Sequence, residues 1–112
     1  MLYNQMIVYV DVDDTLIRSF GTKRIPIPDT VAHVRKLKEQ GVKLYCWSAG
    51  GADYAKAAAA EVGLSDVFEA FLPKPRVMID DQRMENWPFC ITVHPNWCKD
   101  KSWEDYSDPT LK

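Results

Sequence analysis

The sequence predicts an α/β protein built on a parallel sheet, and three observations carry this. Short apolar runs containing β-branched residues recur, first at 6–12 and again at 42–47. A stretch of helical length and pattern follows each run. Polar residues able to do chemistry stand directly after the runs, where ligands bind in sheets of this kind. At 112 residues the chain reads as a single domain over 1–112, with one core and no room for a second, substrate-covering domain.

The elements follow in order. Residues 6–12 read as a buried strand, apolar on both faces. Gly21 and Thr22 turn a small hairpin at about 17–27, and Pro26 and Pro28 keep its return arm off any central sheet position. A helix begins near Asp29 or Thr30 with Val31, Val34 and Leu37 as its apolar stripe, and Gly41 stops it. His33, among charged neighbours, is expected at a solvated position. Val42 to Trp47 forms the second strand. The alanine run within 52–62 forms the second helix, which Gly63 stops. A short third strand is expected at 67–72, a fourth at 76–79 and a fifth at 88–93. From about His94 an aromatic tail with Trp97, Trp103 and Tyr106 should pack one face back on the body.

Composition narrows the setting. With 46% hydrophobic and 27% charged residues the chain has the balance of a soluble globular protein. A formal net charge of −2 gives no general attraction to nucleic acid or to an anionic membrane. No apolar run reaches membrane-span length, and the first residues lack a secretory pattern. Cys46, Cys90 and Cys98 are odd in number and show no CxxC spacing, so reduced thiols in a cytoplasm are expected. His94 and Cys98, with Cys90 nearby, lack the closed four-ligand pattern of zinc. The tryptophans have no basic interleaving that would suggest nucleic acid.

The segment Asp11-Val12-Asp13-Asp14-Thr15 is the most informative part of the chain. Carboxylates crowded at a strand end repel one another, and a hard cation such as Mg²⁺ relieves that repulsion through oxygen ligands. An acidic turn with Asp14 or Thr15 capping a helix is the plainer alternative. Ser48 follows the second strand, Lys74 lies in Pro73-Lys74-Pro75, and Asp80-Asp81 follows the fourth predicted strand. Several polar residues converging on one sheet edge are less easily accidental than one.

In this order the residues resemble the haloacid dehalogenase superfamily, in its small phosphatase-type branch. DVDDT fits the DxDxT motif, Ser48 in LYCWSAGG the second motif, Lys74 the third and Asp80-Asp81 in VMIDDQ the fourth. The resemblance runs from residue 6 to about 93. It implies a single Rossmann-like doubly wound parallel sheet without an inserted cap domain. It also implies a Mg²⁺-dependent phosphomonoester phosphatase working through an aspartyl-phosphate.

On that basis Asp11 would be the nucleophile and Asp13 the general acid and base. Mg²⁺ would be held by Asp11, the carbonyl of Asp13 and the acidic pair, with Asp81 favoured over Asp80 as direct ligand. Ser48 and the amides of Ala49 and Gly50 would bind phosphate before a helix amino terminus. Lys74 would offset charge in the transition state, with Arg76 as a substitute because so few residues separate Lys74 from Asp80. Thr15 would orient the first loop.

With only the small hairpin after the first motif, the pocket should be open to bulky phosphorylated substrates or to a lid from another subunit of a homo-oligomer. A catalytically silent phosphate- or metal-binding module acting through a partner is the alternative of a different class. A receiver domain fits poorly, since no Asp ends the second strand. The substrate itself is not written in the sequence.

Overall fold

Two neighbouring strands show how the sheet is covered. In β1 (Ile7–Val10) and β4 (Lys43–Ser48), which pair in parallel, Val10, Leu44, Cys46 and Ser48 are buried while the residues between them are less so. Alternation along a strand sends successive side chains to opposite faces, so one face is covered and the other is not. The computed structural model describes residues 6–111, and its chain order is β1, β2 (Ile17–Phe20), β3 (Lys23–Pro26), α1 (Pro28–Glu39), β4, α2 (Ala52–Glu61) and β5 (Ala70–Pro73). β1, β4 and β5 form a three-stranded parallel sheet in that order, and β2 and β3 form a separate antiparallel hairpin.

Both helices pack on the covered face. Val34 and Leu37 of α1 and Ala55, Ala58 and Ala59 of α2 enter one core with Val10, Val12, Leu16, Leu44 and Cys46. Two right-handed crossovers that step the same way across a sheet place their helices on one side. The expectation of a doubly wound sheet is therefore corrected: among the described residues the winding is single. The opposite face carries an aromatic ladder. Tyr9 stacks on Tyr45 at 5.2 Å between ring centroids and meets Trp47 edge-on at 4.9 Å.

Local chemistry explains the element ends. Pro28 opens α1 at a position where a missing N–H costs nothing. Gly41, at φ +87°, takes the left-handed conformation that ends the helix and returns the chain to β4. The small Ala55, Ala58 and Ala59 let α2 lie close on the sheet.

Three sequence expectations need correction. The third strand begins at Ala70 and not at Val67; Val67 and Phe68 are buried in the turn that precedes it. Residues 76–79 form no strand, and Val77 and Ile79 are exposed, at 79% and 101%. A further parallel strand needs a crossover of a dozen or so residues, and only Lys74 and Pro75 separate β5 from Arg76. Residues 88–93 form no strand either; the stretch before them holds a single 3-10 turn, Met84–Asn86, in place of a crossover helix.

His33 also departs from expectation. It is 4% exposed, with Nδ1 2.8 Å from the Lys101 carbonyl and Nε2 2.7 Å from the Tyr106 hydroxyl. It lies three residues after the buried Thr30 and next to Val34, on the inner stripe of α1, which outweighs its charged neighbours. The aromatic tail closes over it. Trp97 and Tyr106 lie 4.8 Å apart and both flank the imidazole, while Trp103 stays partly exposed. Among the described residues no helix is long and apolar enough to cross a membrane.

Candidate active site

Asp11 stands just beyond β1, and the chain turns immediately after it. Val12 is fully buried and anchors the turn: the amides of Thr15, Leu16 and Ile17 all donate to its carbonyl, at 3.1, 2.8 and 3.2 Å. Asp14 adopts φ +62°, a left-handed conformation that Asp tolerates better than most residues. The outcome is a tight knot with Asp11 half-buried on one side of Val12 and Asp13 exposed on the other.

The two oxygens of Asp11 have different partners. Lys74 Nζ lies 3.2 Å from Oδ1, and Thr15 Oγ1 donates to Oδ2 at 3.3 Å. Thr15, expected to orient the first loop, holds this carboxylate oxygen directly. Lys74 reaches Asp11 because its own amide donates to the Ser48 carbonyl at 2.9 Å, which fixes the start of its side chain beside the end of β4. Its ammonium also sits 5.8 Å from the centre of the Trp47 ring. Lys74, and not Arg76, therefore takes the cationic position.

Ser48 is 1% exposed and ends β4. Its Oγ accepts the Gly50 N–H at 3.0 Å, so that amide is spent on the turn and not offered to a phosphate. The Gly50 amide, expected in a phosphate cradle, is thus turned toward the Ser48 side chain. Ala49 and Gly50 are exposed at the turn, and the Ser48 hydroxyl keeps its own proton to donate. Cys46, two residues back, is buried on the covered face; burial pushes its thiol up to about 12, so it is no nucleophile at neutral pH.

Two residues that the sequence reading passed over belong to the site. Tyr54 Oη, on the first turn of α2, donates to Asp13 Oδ1 at 2.6 Å. Arg24, on β3, donates from Nη1 to the same hydroxyl at 3.0 Å and is held by Glu61 of α2 at 2.9 Å. Glu61 and Tyr54 raise the Arg24 guanidinium further above its ordinary value, and it stays charged. The sequence signal for Tyr54 was its place six residues after Ser48, on the helix that the serine turn begins. Arg24 gave none, because the angle at which the hairpin folds over is not written locally.

Asp80 and Asp81 do not join the cluster. Both are exposed, and Asp80 Oδ1 accepts the N–H of Gln82 in a turn of its own. Among the described residues no three of His, Cys, Asp and Glu come together in a way that could hold a metal. With no fourth strand, this pair does not follow a strand end as expected, and among the described residues Asp80 and Asp81 are not gathered with Asp11 and Asp13 into a metal-holding group. Asp11 and the Asp13 carbonyl are the two oxygen donors still expected of the loop. Mg²⁺ commonly keeps several waters and takes one or two carboxylates plus substrate phosphate, and that smaller donor set fits it.

Fold and site together define an α/β protein with an acidic, lysine-braced cluster at the carboxyl end of a parallel sheet. The chain belongs to the family described as "Protein of unknown function (DUF705)", whose family model matches residues 2–107. Neither the curated proteins nor the solved structures gave a match. The family finding corrects the resemblance drawn from the DxDxT pattern: the chain is assigned to this family and not to the haloacid dehalogenase superfamily. Residue roles therefore rest on geometry alone.

Proposed function

We propose that this protein is a phosphohydrolase that cleaves phosphate monoesters through an aspartyl-phosphate on Asp11. The observation that carries the reading is the placement of Asp11 between Lys74 at 3.2 Å and Thr15 at 3.3 Å, at the strand-end edge that Ser48 shares. A carboxylate braced by an ammonium can approach an anionic phosphorus, because the cation offsets charge on the phosphoryl oxygens. Asp11 attacks phosphorus while Asp13 protonates the departing oxygen. A water then takes the phosphoryl group from Asp11 as Asp13 recovers the proton. The Ser48 hydroxyl donates to a phosphoryl oxygen. Mg²⁺, held by Asp11 and the Asp13 carbonyl, would neutralise further phosphate charge. The exposed Asp13 leaves the leaving-group side open, which suits a bulky substrate.

The test is release of inorganic phosphate from aryl phosphates in the presence of Mg²⁺. Asp11→Asn keeps the shape of the residue and removes the nucleophile, so turnover should vanish while thermal unfolding changes little. Unaltered turnover in that variant would remove the covalent mechanism. Phosphate binding without turnover by the parent would put the silent binding module in its place.

A further inference from the structure

Asp13 is exposed, so its carboxylate would sample several rotamers if nothing held it. One contact does hold it: the 2.6 Å hydrogen bond from Tyr54 Oη to Oδ1. The direction of that bond is forced. Arg24 has only N–H groups to offer and points one at the Tyr54 oxygen from 3.0 Å, so the oxygen accepts from Arg24 and its single proton goes to Asp13. Arg24 is fixed in turn, by Glu61 Oε2 at 2.9 Å and Oε1 at 3.2 Å and by stacking 5.5 Å from the centre of the Tyr54 ring. The ring needs Gly50 beside it. A Cβ there would stand 3.0 Å from Tyr54 Cδ2, so the turn that presents Ser48 also makes room for the residue that holds Asp13.

We propose that Tyr54 is the positioning residue of Asp13, occupying Oδ1 so that Oδ2 alone exchanges the proton, with Arg24 on the hairpin fixing the direction of the tyrosine hydroxyl. This rests on the phosphohydrolase reading above. In the first half-reaction the Asp13 Oδ2–H bond breaks, and its proton goes to the ester oxygen as the bond from phosphorus to that oxygen breaks and the bond to Asp11 forms. In the second, water oxygen bonds to phosphorus, its proton returns to Oδ2, and the bond from phosphorus to Asp11 breaks. Tyr54 transfers no proton in either half. The donated bond to Asp13 also holds the phenol above its ordinary range, as expected of a donor committed to a carboxylate.

A tether that merely pinned the hairpin to α2 would show the same contacts, so the test must read proton transfer. Parent, Tyr54→Phe, Asp13→Asn and the double variant are compared on 4-nitrophenyl phosphate, a good leaving group, and on phenyl phosphate, a poor one. Tyr54→Phe should lower kcat on phenyl phosphate by about tenfold, a part of what general acid catalysis supplies, and lower it far less on 4-nitrophenyl phosphate. In the Asp13→Asn background the same change should cost nothing more, because no proton remains to be placed. Equal losses on both esters, or an undiminished loss in the Asp13→Asn background, would reduce Tyr54 to a tether.

If Tyr54→Phe fails to fold, Arg24→Gln is the second variant and should show the same leaving-group dependence at smaller size. Absence of turnover by the parent on both esters would sink the phosphohydrolase reading instead. The contact has its own check there: in a thermal double-variant cycle the losses from Tyr54→Phe and Asp13→Ala should be less than additive, and additive losses overturn the proposal.

Discussion

Asp11 and Lys74 face each other across 3.2 Å with both side chains about a third exposed, which makes the pair functional in character more than structural. Ion pairs that solvent reaches contribute about 0–1 kcal/mol, so the fold has little need of it. On the proposed phosphohydrolase reading its value lies in charge at the reaction centre, where loss of one preorganised electrostatic partner costs roughly 10²–10³ in kcat. Lys74→Gln should therefore lose turnover on that scale while its melting temperature barely moves, and paired kinetic and melting measurements check both halves. Much of this was legible residue by residue. Asp11, Ser48 and Lys74 each follow or precede an apolar run, and strand ends converge whatever the details of packing. Arg24 was not legible, and Tyr54 only through its place after Ser48, because their meeting depends on the angle between a hairpin and a helix. His33 was misread for a different reason: its charged neighbours Arg35 and Lys36 lie on the outer face, whereas the three- and four-residue spacing from Thr30 to His33, Val34 and Leu37 marks the inner one.

Among the elements, α1 and the tail behave as a pair. Besides His33, Gln40 ties the tail down: its Nε2 donates to Glu104 and its Oε1 accepts the Trp103 N–H at 3.1 Å. A capping box of Ser102 and Asp105 then turns the segment toward Tyr106. Burial pushes the His33 imidazole below its ordinary value of 6.5; the Lys101 carbonyl and Asp105 oppose that shift and Lys36 adds to it. The Lys101 carbonyl can only accept, so Nδ1 carries the proton and Nε2 accepts from Tyr106. Protonating Nε2 would break that arrangement. Because the folded state holds the proton less readily than the unfolded chain, stability is kept above pH 6.5 and lost as pH falls from there toward the lower folded-state value. Melting temperature should accordingly drop between about pH 7.5 and pH 5.5, before ordinary carboxylates titrate. His33→Asn, which retains a donor toward Lys101, should be less stable at the upper pH but flatter across the window. An equal slope in parent and variant would move the acid sensitivity elsewhere. Sequence foresaw that the tail packs back, since its aromatics need cover, but not that a histidine anchors it.

Across the whole molecule, the winding of the sheet was the least legible feature. Apolar runs at 76–79 and 88–93 have strand composition, yet a parallel strand depends on a crossover that the intervening residues do not provide. The consequence reaches the site: the acidic pair stays on exposed coil, and the strand-end loop keeps its charge with fewer partners. The loop carries Asp11, Asp13 and Asp14, of which Asp11 is paired with Lys74, while Arg24 is already paired with Glu61, and a bound phosphate dianion would deepen the deficit of positive charge. A cation that binds this loop binds the folded state alone, so Mg²⁺ should raise the melting temperature. At ten times its dissociation constant the gain is roughly 1.4 kcal/mol, several degrees for a domain of this size. Asp11→Asn should abolish the shift, since it removes the carboxylate donor. Asp81→Ala and Asp80→Ala should retain it, because among the described residues neither joins Asp11 and Asp13 in a metal-holding group. Calorimetric melting with and without millimolar Mg²⁺ distinguishes the cases. A shift that survives Asp11→Asn would place the ion elsewhere on the surface, and one that disappears in Asp81→Ala would mean that the coil closes over the loop when the metal is bound.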